Sequence, residues 1–220
     1  LALAFKYLAN VDVVLHLDLL TRERFLAIWF VLFALPGLYV LGFLRLEGIK
    51  ATDEVSLPRL LIGVAFLAFS FSLLPGMFCG NLGELEAYVP LPRPGVCAAG
   101  RADSGESLKW IKNDLKAALA QAERENKTVF VNFTGYACTN CHWMKANMFT
   151  QPDVIAAMKD FVLVELYTDG SDAVSEANQK VQEEKFQTVA IPYYVILDAR
   201  EKVVASYPGL TKDKSQWLAF

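Results

Sequence analysis

Thr128-Val-Phe-Val-Asn-Phe-Thr-Gly-Tyr-Ala-Cys138-Thr-Asn-Cys141-His142 is the stretch on which the reading of this chain turns. Residues Thr128 to Phe133 form a short apolar strand pattern, and a helix opens at Cys138. Two cysteines with this spacing at a strand-to-helix turn form a dithiol that can close to a disulfide and reopen. The unpaired N–H groups at a helix start favour thiolate, the attacking species. By chain order Cys138 is the nucleophile, and Cys141, one turn further in, resolves the mixed disulfide. Thr139 and Asn140 add no charge. With His142 the same residues also spell C-x-x-C-H, the c-type haem attachment pattern, so a haem-binding or haem-delivery module is the alternative.

The flanking sequence favours the dithiol. A cytochrome has no use for the strand before the motif, and of the nearby methionines only Met158 is placed to serve as a sixth ligand. Zinc needs four ligands, of which Cys138, Cys141 and His142 supply at most three, so no metal is expected. An inert buried pair in a binding module is the remaining reading. No cofactor beyond the Cys138–Cys141 disulfide is expected.

Further out, residues 107–124 carry apolar positions at helical spacing (Leu108, Ile111, Leu115, Ala118, Leu119, Ala122), with Ser107 as N-cap. After the motif a helix runs to about Met148, and another restarts at Thr150-Gln151-Pro152-Asp153. Phe161–Tyr167 reads as a strand and 173–186 as a polar helix. Ile191–Leu197 and Lys202–Tyr207 read as two more strands, and a last helix begins at Thr211. The order α-β-α-α-β-α-β-β-α is an α/β layer arrangement.

The first half has a different character. The chain of 220 residues is 54% hydrophobic and 20% charged, and the excess is concentrated. Phe25 to Leu44 carries no charge, nor do the residues between Arg59 and Glu84. Each run can cross a hydrocarbon core of roughly 30 Å. Neither has the length or the cleavage site of a signal peptide. The expected organisation is a membrane region over 1–84, a linker over 85–106 rich in Pro and Gly, and a C-terminal α/β domain over 107–220. Within the membrane region lie an interfacial segment, 1–24, and helices at about 25–44 and 60–80. His16 reads as a solvated or interfacial side chain. Pro36-Gly37 predicts a kink, and Thr21 a cap. Arg45, Lys50 and Arg59 balance Arg22, Arg24 and Arg93 across the spans, so charge does not orient them. Beginning at Leu1 and stopping at Phe220, the chain is expected to be a piece of a longer protein. Its net charge of −3, with no basic stripe, makes nucleic acid an unexpected partner.

Val189-Ala-Ile-Pro-Tyr-Tyr-Val-Ile-Leu-Asp198 resembles the strand that carries the cis-proline of thioredoxin-fold domains, and residues 107–220 resemble such a domain. The resemblance implies that Pro192 and Ile191 shape the groove for an extended partner segment, with Tyr136 beside them. Phe133-Thr-Gly-Tyr-Ala-Cys-Thr-Asn-Cys-His-Trp-Met144 after two spans is similar to the C-terminal part of the DsbD family of transmembrane thiol:disulfide interchange proteins. That resemblance implies an α/β thioredoxin-like domain with a central mixed sheet, preceded by a pair of transmembrane helices. It implies a protein-disulfide reductase in the bacterial inner membrane, its thioredoxin-like domain in the periplasm. Its partners would be the missing N-terminal part of the same protein, with further redox cysteines, and periplasmic disulfide proteins. A simple two-span thioredoxin that oxidises or isomerises disulfides is the runner-up.

The chain departs from the family pattern at several positions. The two spans hold no cysteine pair. Asn132 stands where many thioredoxins keep a buried Asp, leaving water or Glu165 to take a proton from Cys141. Ala137 replaces the usual Trp, and His142, at an often basic position, would favour the thiolates when charged. Cys79 and Cys97 flank the membrane exit and could form a structural disulfide.

Overall fold

A computed structural model describes residues 2–44, 55–91 and 108–220. By contacts the chain divides into two compact units. Leu1–Ala9, Asp18–Leu82 and Val89–Ala102 form the first; Asn10–Leu17, Gly83–Tyr88 and Asp103–Phe220 form the second.

Three helices open the chain: α1 (Ala2–Val14), α2 (Arg22–Val40) and α3 (Leu57–Ser72), the last extended by α4 (Leu74–Met77). Most of the segment read as interfacial is therefore helical. Two helical stretches, Arg22–Val40 of 19 residues and Leu57–Met77 of 21, are long and apolar enough to cross a membrane. Both begin about three residues before the expected spans, because Arg22, Glu23, Pro58 and Arg59 all fit a first helical turn. Only 22% of each apolar window is buried. Small residues let α2 and α3 approach. A Cβ on Gly63 would lie 2.5 Å from Leu41 Cγ, and one on Gly37 would lie 3.2 Å from the Gly63 carbonyl oxygen. Phe33 packs on Phe69 with ring centroids 4.4 Å apart. Pro36 lies inside α2, and the Thr21 side chain makes no cap bond. The predicted loop at 45–59 falls mostly outside the described residues.

The second unit is built on a five-stranded mixed sheet. Its elements are β1 (Trp110–Lys112), α5 (Leu115–Glu125), β2 (Thr128–Thr134), α6 (Thr139–Trp143) running into a π-helical turn (Met144–Met148), α7 (Pro152–Met158), β3 (Phe161–Tyr167), α8 (Ala173–Phe186), β4 (Tyr193–Leu197), β5 (Val203–Pro208) and α9 (Lys214–Leu218). Strand order is β1-β3-β2-β4-β5. β1, β3 and β2 run parallel, while β4 and β5 are antiparallel to their neighbours.

Strand alternation divides the core between two faces. Val129, Val131 and Phe133 join Val164, Leu166 and Val195 against Ala118 and Ala122 of α5. Phe130, Leu163 and Tyr194 face Trp143, Met144, Met148, Val154 and Trp217. Each fully buried large apolar side chain, such as Phe133 or Leu166, contributes roughly 1.5–3 kcal/mol.

Two expectations are corrected here. Residues 108–124 are not one helix. Trp110–Lys112 form an edge strand, Asn113 takes a left-handed φ of 54°, and α5 starts only after Asp114, whose side chain accepts from Ala117 N–H. The helical spacing of Leu108 and Ile111 with Leu115 was coincidental, since the first two belong to the strand region. Ser107, the predicted cap, lies outside the described residues. Residues 85–88, read as linker, lie in a 3₁₀ helix, Gly83–Tyr88. It packs on the second unit, with Ala87 in the core, Asn147 donating to the Gly83 carbonyl at 3.2 Å, and Glu84 paired with Lys212 at 2.7 Å.

Candidate functional site

The site forms where two antiparallel strands end and begin. β2 and β4 pair with Phe133 opposite Tyr193. The loop leaving β2 and the residues entering β4 therefore share one end of the sheet. The first leads to Cys138; the second is Ile191–Pro192, joined by a cis peptide bond. The loops meet at Gly135, where a Cβ would lie 2.7 Å from Ile191 Cδ1.

Cys138 and Cys141 form a disulfide with Cα atoms 5.3 Å apart. Cys138 is half-buried, whereas Cys141 is 1% exposed. Cys138 occupies the N-cap of α6, and its Sγ accepts from the Cys141 N–H at 3.1 Å. Among the described residues no cluster of three or more His, Cys, Asp or Glu is arranged to hold a metal.

Tyr136 is fixed on several sides. Its ring stacks on Tyr167 with centroids 4.1 Å apart and meets His16 edge-on at 4.9 Å. His16 is thus exposed, as expected, but has an aromatic neighbour. Burial first, and then the charges of Asp172, Asp169 and Glu165, push the ionisation of the Tyr136 phenol up, against a lowering contribution from the Asn113 side chain. The buried His142 places Nε2 2.9 Å from the Tyr136 carbonyl oxygen. A carbonyl only accepts, so that nitrogen carries a proton. His142 ties the start of α6 back to the preceding loop, a contact the sequence does not announce.

Glu165 lies beneath α6 but is engaged. Its carboxylate is 2.5 Å from Lys145 Nζ and 3.5 Å from Lys112 Nζ, and it accepts from the Tyr167 hydroxyl at 3.4 Å. Lys145 also donates to that hydroxyl at 3.0 Å. Burial first, and then the Glu165 charge, push the Tyr167 phenol well above its ordinary range. Asn132 is opposite Glu165 on β3 and Tyr194 on β4. It is 1% exposed and its Oδ1 has no protein partner. Cys79, at a left-handed φ of 64°, is disulfide-bonded. Cys97, and with it the predicted pairing of the two, lies outside the described residues.

Three contributors escaped the sequence reading. Asp169, just beyond β3, accepts from Tyr136 N–H at 2.7 Å and from Ala137 N–H at 3.0 Å. Asn113 accepts from Tyr167 N–H at 2.9 Å and from Asn178 at 3.0 Å. Lys145 neutralises Glu165. The available signals were weak: an Asp-Gly pair after a strand, an Asn-Asp pair before a helix, and a lone lysine in an apolar helix.

These features define a thioredoxin-like domain, and residues 110–199 match the family model described as thioredoxin-like. Similar solved structures include a thioredoxin from Thermus thermophilus, at 21% identity over 52% of this chain and 84% of that one, with a TM-score of 0.43. A DsbH oxidoreductase matches at 17% identity over 54% and 85%, with a TM-score of 0.45. The C-terminal domain of DsbD from Neisseria meningitidis, in its oxidised form, matches at 22% identity over 48% and 88%, with a TM-score of 0.38. No curated protein matches the sequence.

Proposed function

We propose that this chain is a membrane-tethered thiol:disulfide oxidoreductase that reduces partner proteins, as the C-terminal portion of a DsbD-like conduit. The observation that carries the reading is the half-buried Cys138 joined to a buried Cys141, at the sheet end shared with Ile191–Pro192. In the reduced protein the Cys138 thiolate attacks one sulfur of a partner disulfide. That S–S bond breaks, a mixed disulfide forms, and the partner's other sulfur leaves as a thiolate and takes a proton. Cys141, deprotonated, then attacks the Cys138 sulfur. This releases the second partner thiol and closes the Cys138–Cys141 disulfide. Two electrons pass to the partner. The extended segment around the attacked sulfur lies along Ile191–Pro192, with Tyr136 beside it.

The two apolar helical stretches support tethering, since 19 residues of helix span about 28 Å. A periplasmic location for the domain, reduction of periplasmic disulfide proteins, and electron supply from redox cysteines of an N-terminal membrane part complete the proposal. No cofactor beyond the disulfide is required by it. The haem alternative needs both sulfurs and His142; in this structure the sulfurs bond each other and His142 Nε2 bonds Tyr136.

The test uses the full chain in detergent, reduced and mixed with a disulfide-containing protein. Cys138→Ser abolishes reduction, whereas Cys141→Ser accumulates a mixed disulfide that a small thiol releases. Equal trapping by both variants would refute the roles. A Soret band surviving denaturation would establish haem instead.

A further inference from the structure

We infer that Asp169 tunes the dithiol: its carboxylate positions the loop entering Cys138 and, by its charge, disfavours the Cys138 thiolate. The inference rests on the exchange chemistry proposed above and assigns a residue outside the C-x-x-C motif to setting its redox balance.

The geometry is specific. The two carboxylate oxygens divide two consecutive N–H groups, Oδ1 taking Tyr136 at 2.7 Å and Oδ2 taking Ala137 at 3.0 Å. Charge-assisted bonds of this length are about twice as strong as neutral ones. Space for the carboxylate depends on Gly135, where a Cβ would lie 2.4 Å from Asp169 Oδ2. The same Cβ would strike Ile191, so Asp169 sits where the dithiol loop and the Ile191–Pro192 loop meet.

The surrounding charges leave this carboxylate unopposed by any described ion pair. Lys145 and Lys112 are paired with Glu165. Asp172 is itself acidic, its carboxylate held by Val174 N–H, Ser175 N–H and the Ser175 hydroxyl. His142 is turned to the Tyr136 carbonyl, and His16 meets the Tyr136 ring. The charges that act on Tyr136, two residues before Cys138, are Asp172, Asp169 and Glu165. Opposing them, the Cys141 N–H points at Cys138 Sγ.

The sign follows from linkage. A negative charge near Cys138 raises the free energy of its thiolate, which exists only in the reduced form. Reduction is thereby made less favourable, and the dithiol becomes a stronger electron donor. Asp169 reaches the residue next to Cys138, a charge-to-sulfur path of roughly 7 Å. At an effective dielectric of about 45 that separation corresponds to roughly a six-fold change in thiolate population.

The test compares the full chain with Asp169→Asn, which keeps the shape and removes the charge. Two readouts are used: the pH titration of Cys138 thiolate by alkylation rate, and equilibrium with reduced and oxidised glutathione. In that equilibrium two electrons pass from the dithiol to glutathione disulfide, giving two glutathione thiols and the Cys138–Cys141 disulfide. Asp169→Asn is expected to raise the thiolate fraction below the titration midpoint about six-fold. The reduction potential rises by no more than the same factor, about 23 mV for two electrons. A merely structural role would lower thermal stability while leaving both readouts at the wild-type value, and that result overturns the inference. If Asp169→Asn does not fold, wild-type protein at low and high salt decides. Screening must move the Cys138 titration in the same direction, and a salt-independent titration overturns the inference. Failure of the wild-type dithiol to equilibrate with glutathione at all sinks the proposed function itself.

Discussion

Separating Lys145 from Glu165 should reveal how firmly the π-helical turn that continues α6 is fastened to the sheet. The two charges are 2.5 Å apart, and their side chains are 16% and 6% exposed. Removing one partner of a fully buried pair costs about 3–5 kcal/mol. Here each survivor keeps a partner: Lys145 keeps the Tyr167 hydroxyl, and Glu165 keeps that hydroxyl with Lys112, which is 58% exposed. Glu165→Gln and Lys145→Met are therefore each expected to cost about 2 kcal/mol. For a unit of this size that lowers Tm by about 6–12 °C. The double variant leaves no unpaired buried charge, so it should cost about 1–2 kcal/mol less than the sum of the singles. Thermal and urea unfolding of the full chain in detergent, followed by tryptophan fluorescence, reads this cycle. Additive singles, with coupling under about 0.5 kcal/mol, would refute the view that a buried pair anchors the helix.

Two pH effects follow from the same structure. Asp172 caps α8, and its bonds to the Ser175 N–H and hydroxyl hold its carboxyl below the ordinary value of 3.8. A carboxyl depressed in the folded state contributes stability that is complete above its unfolded value and lost as pH falls through the lower folded one. Asp172→Asn, which keeps the cap, should flatten the loss of stability below about pH 4, checked by acid titration of ellipticity; an unchanged acid slope rejects the assignment. At high pH the raised phenols of Tyr136 and Tyr167 act in the opposite sense. Their stabilising contribution is complete below the unfolded value near 10 and is lost as pH rises through the folded values. Near-ultraviolet titration should show both ionising after the exposed tyrosines. Removal of an ordinary pH 10 transition by Tyr136→Phe would contradict the packing described.

Legibility from sequence tracked the range of the interactions involved. Phe161–Tyr167 and Ala173–Phe186 form the elements read for them, because local pattern and tertiary demand agree. β1 was missed because it is three residues at a sheet edge, held by pairing to β3 some fifty residues away. Its apolar residues fall at helical spacing with those of α5, and only the left-handed turn at Asn113 separates them. Within the site, the C-x-x-C pair and Ile191–Pro192 were legible because each carries its own chemistry. Asp169, Lys145 and Asn113 were not, since their roles arise from contacts 20 to 54 residues apart. Glu165 reads from the sequence as a possible proton acceptor, and nothing in its own segment discloses that Lys145 reaches it.

The placement of carboxylates also bears on how this dithiol can be controlled. Beneath α6 the cross-strand row is Glu165, Asn132 and Tyr194. Its one acid is matched by Lys145, and the other two members carry no charge with the Tyr194 phenol held well above its ordinary ionisation by burial. The floor of the site therefore holds its one acid in ion pairs with Lys145 and Lys112. At the rim the situation reverses. Asp169 presents a carboxylate to the loop that enters Cys138, the more exposed of the two sulfurs. In the proposed exchange a charge at the rim acts on Cys138 and on an arriving partner segment together, whereas a charge in the floor acts on Cys141 alone. With Asn132 uncharged in the floor and the Asp169 carboxylate at the rim, the charge effect inferred above falls on Cys138 rather than on Cys141.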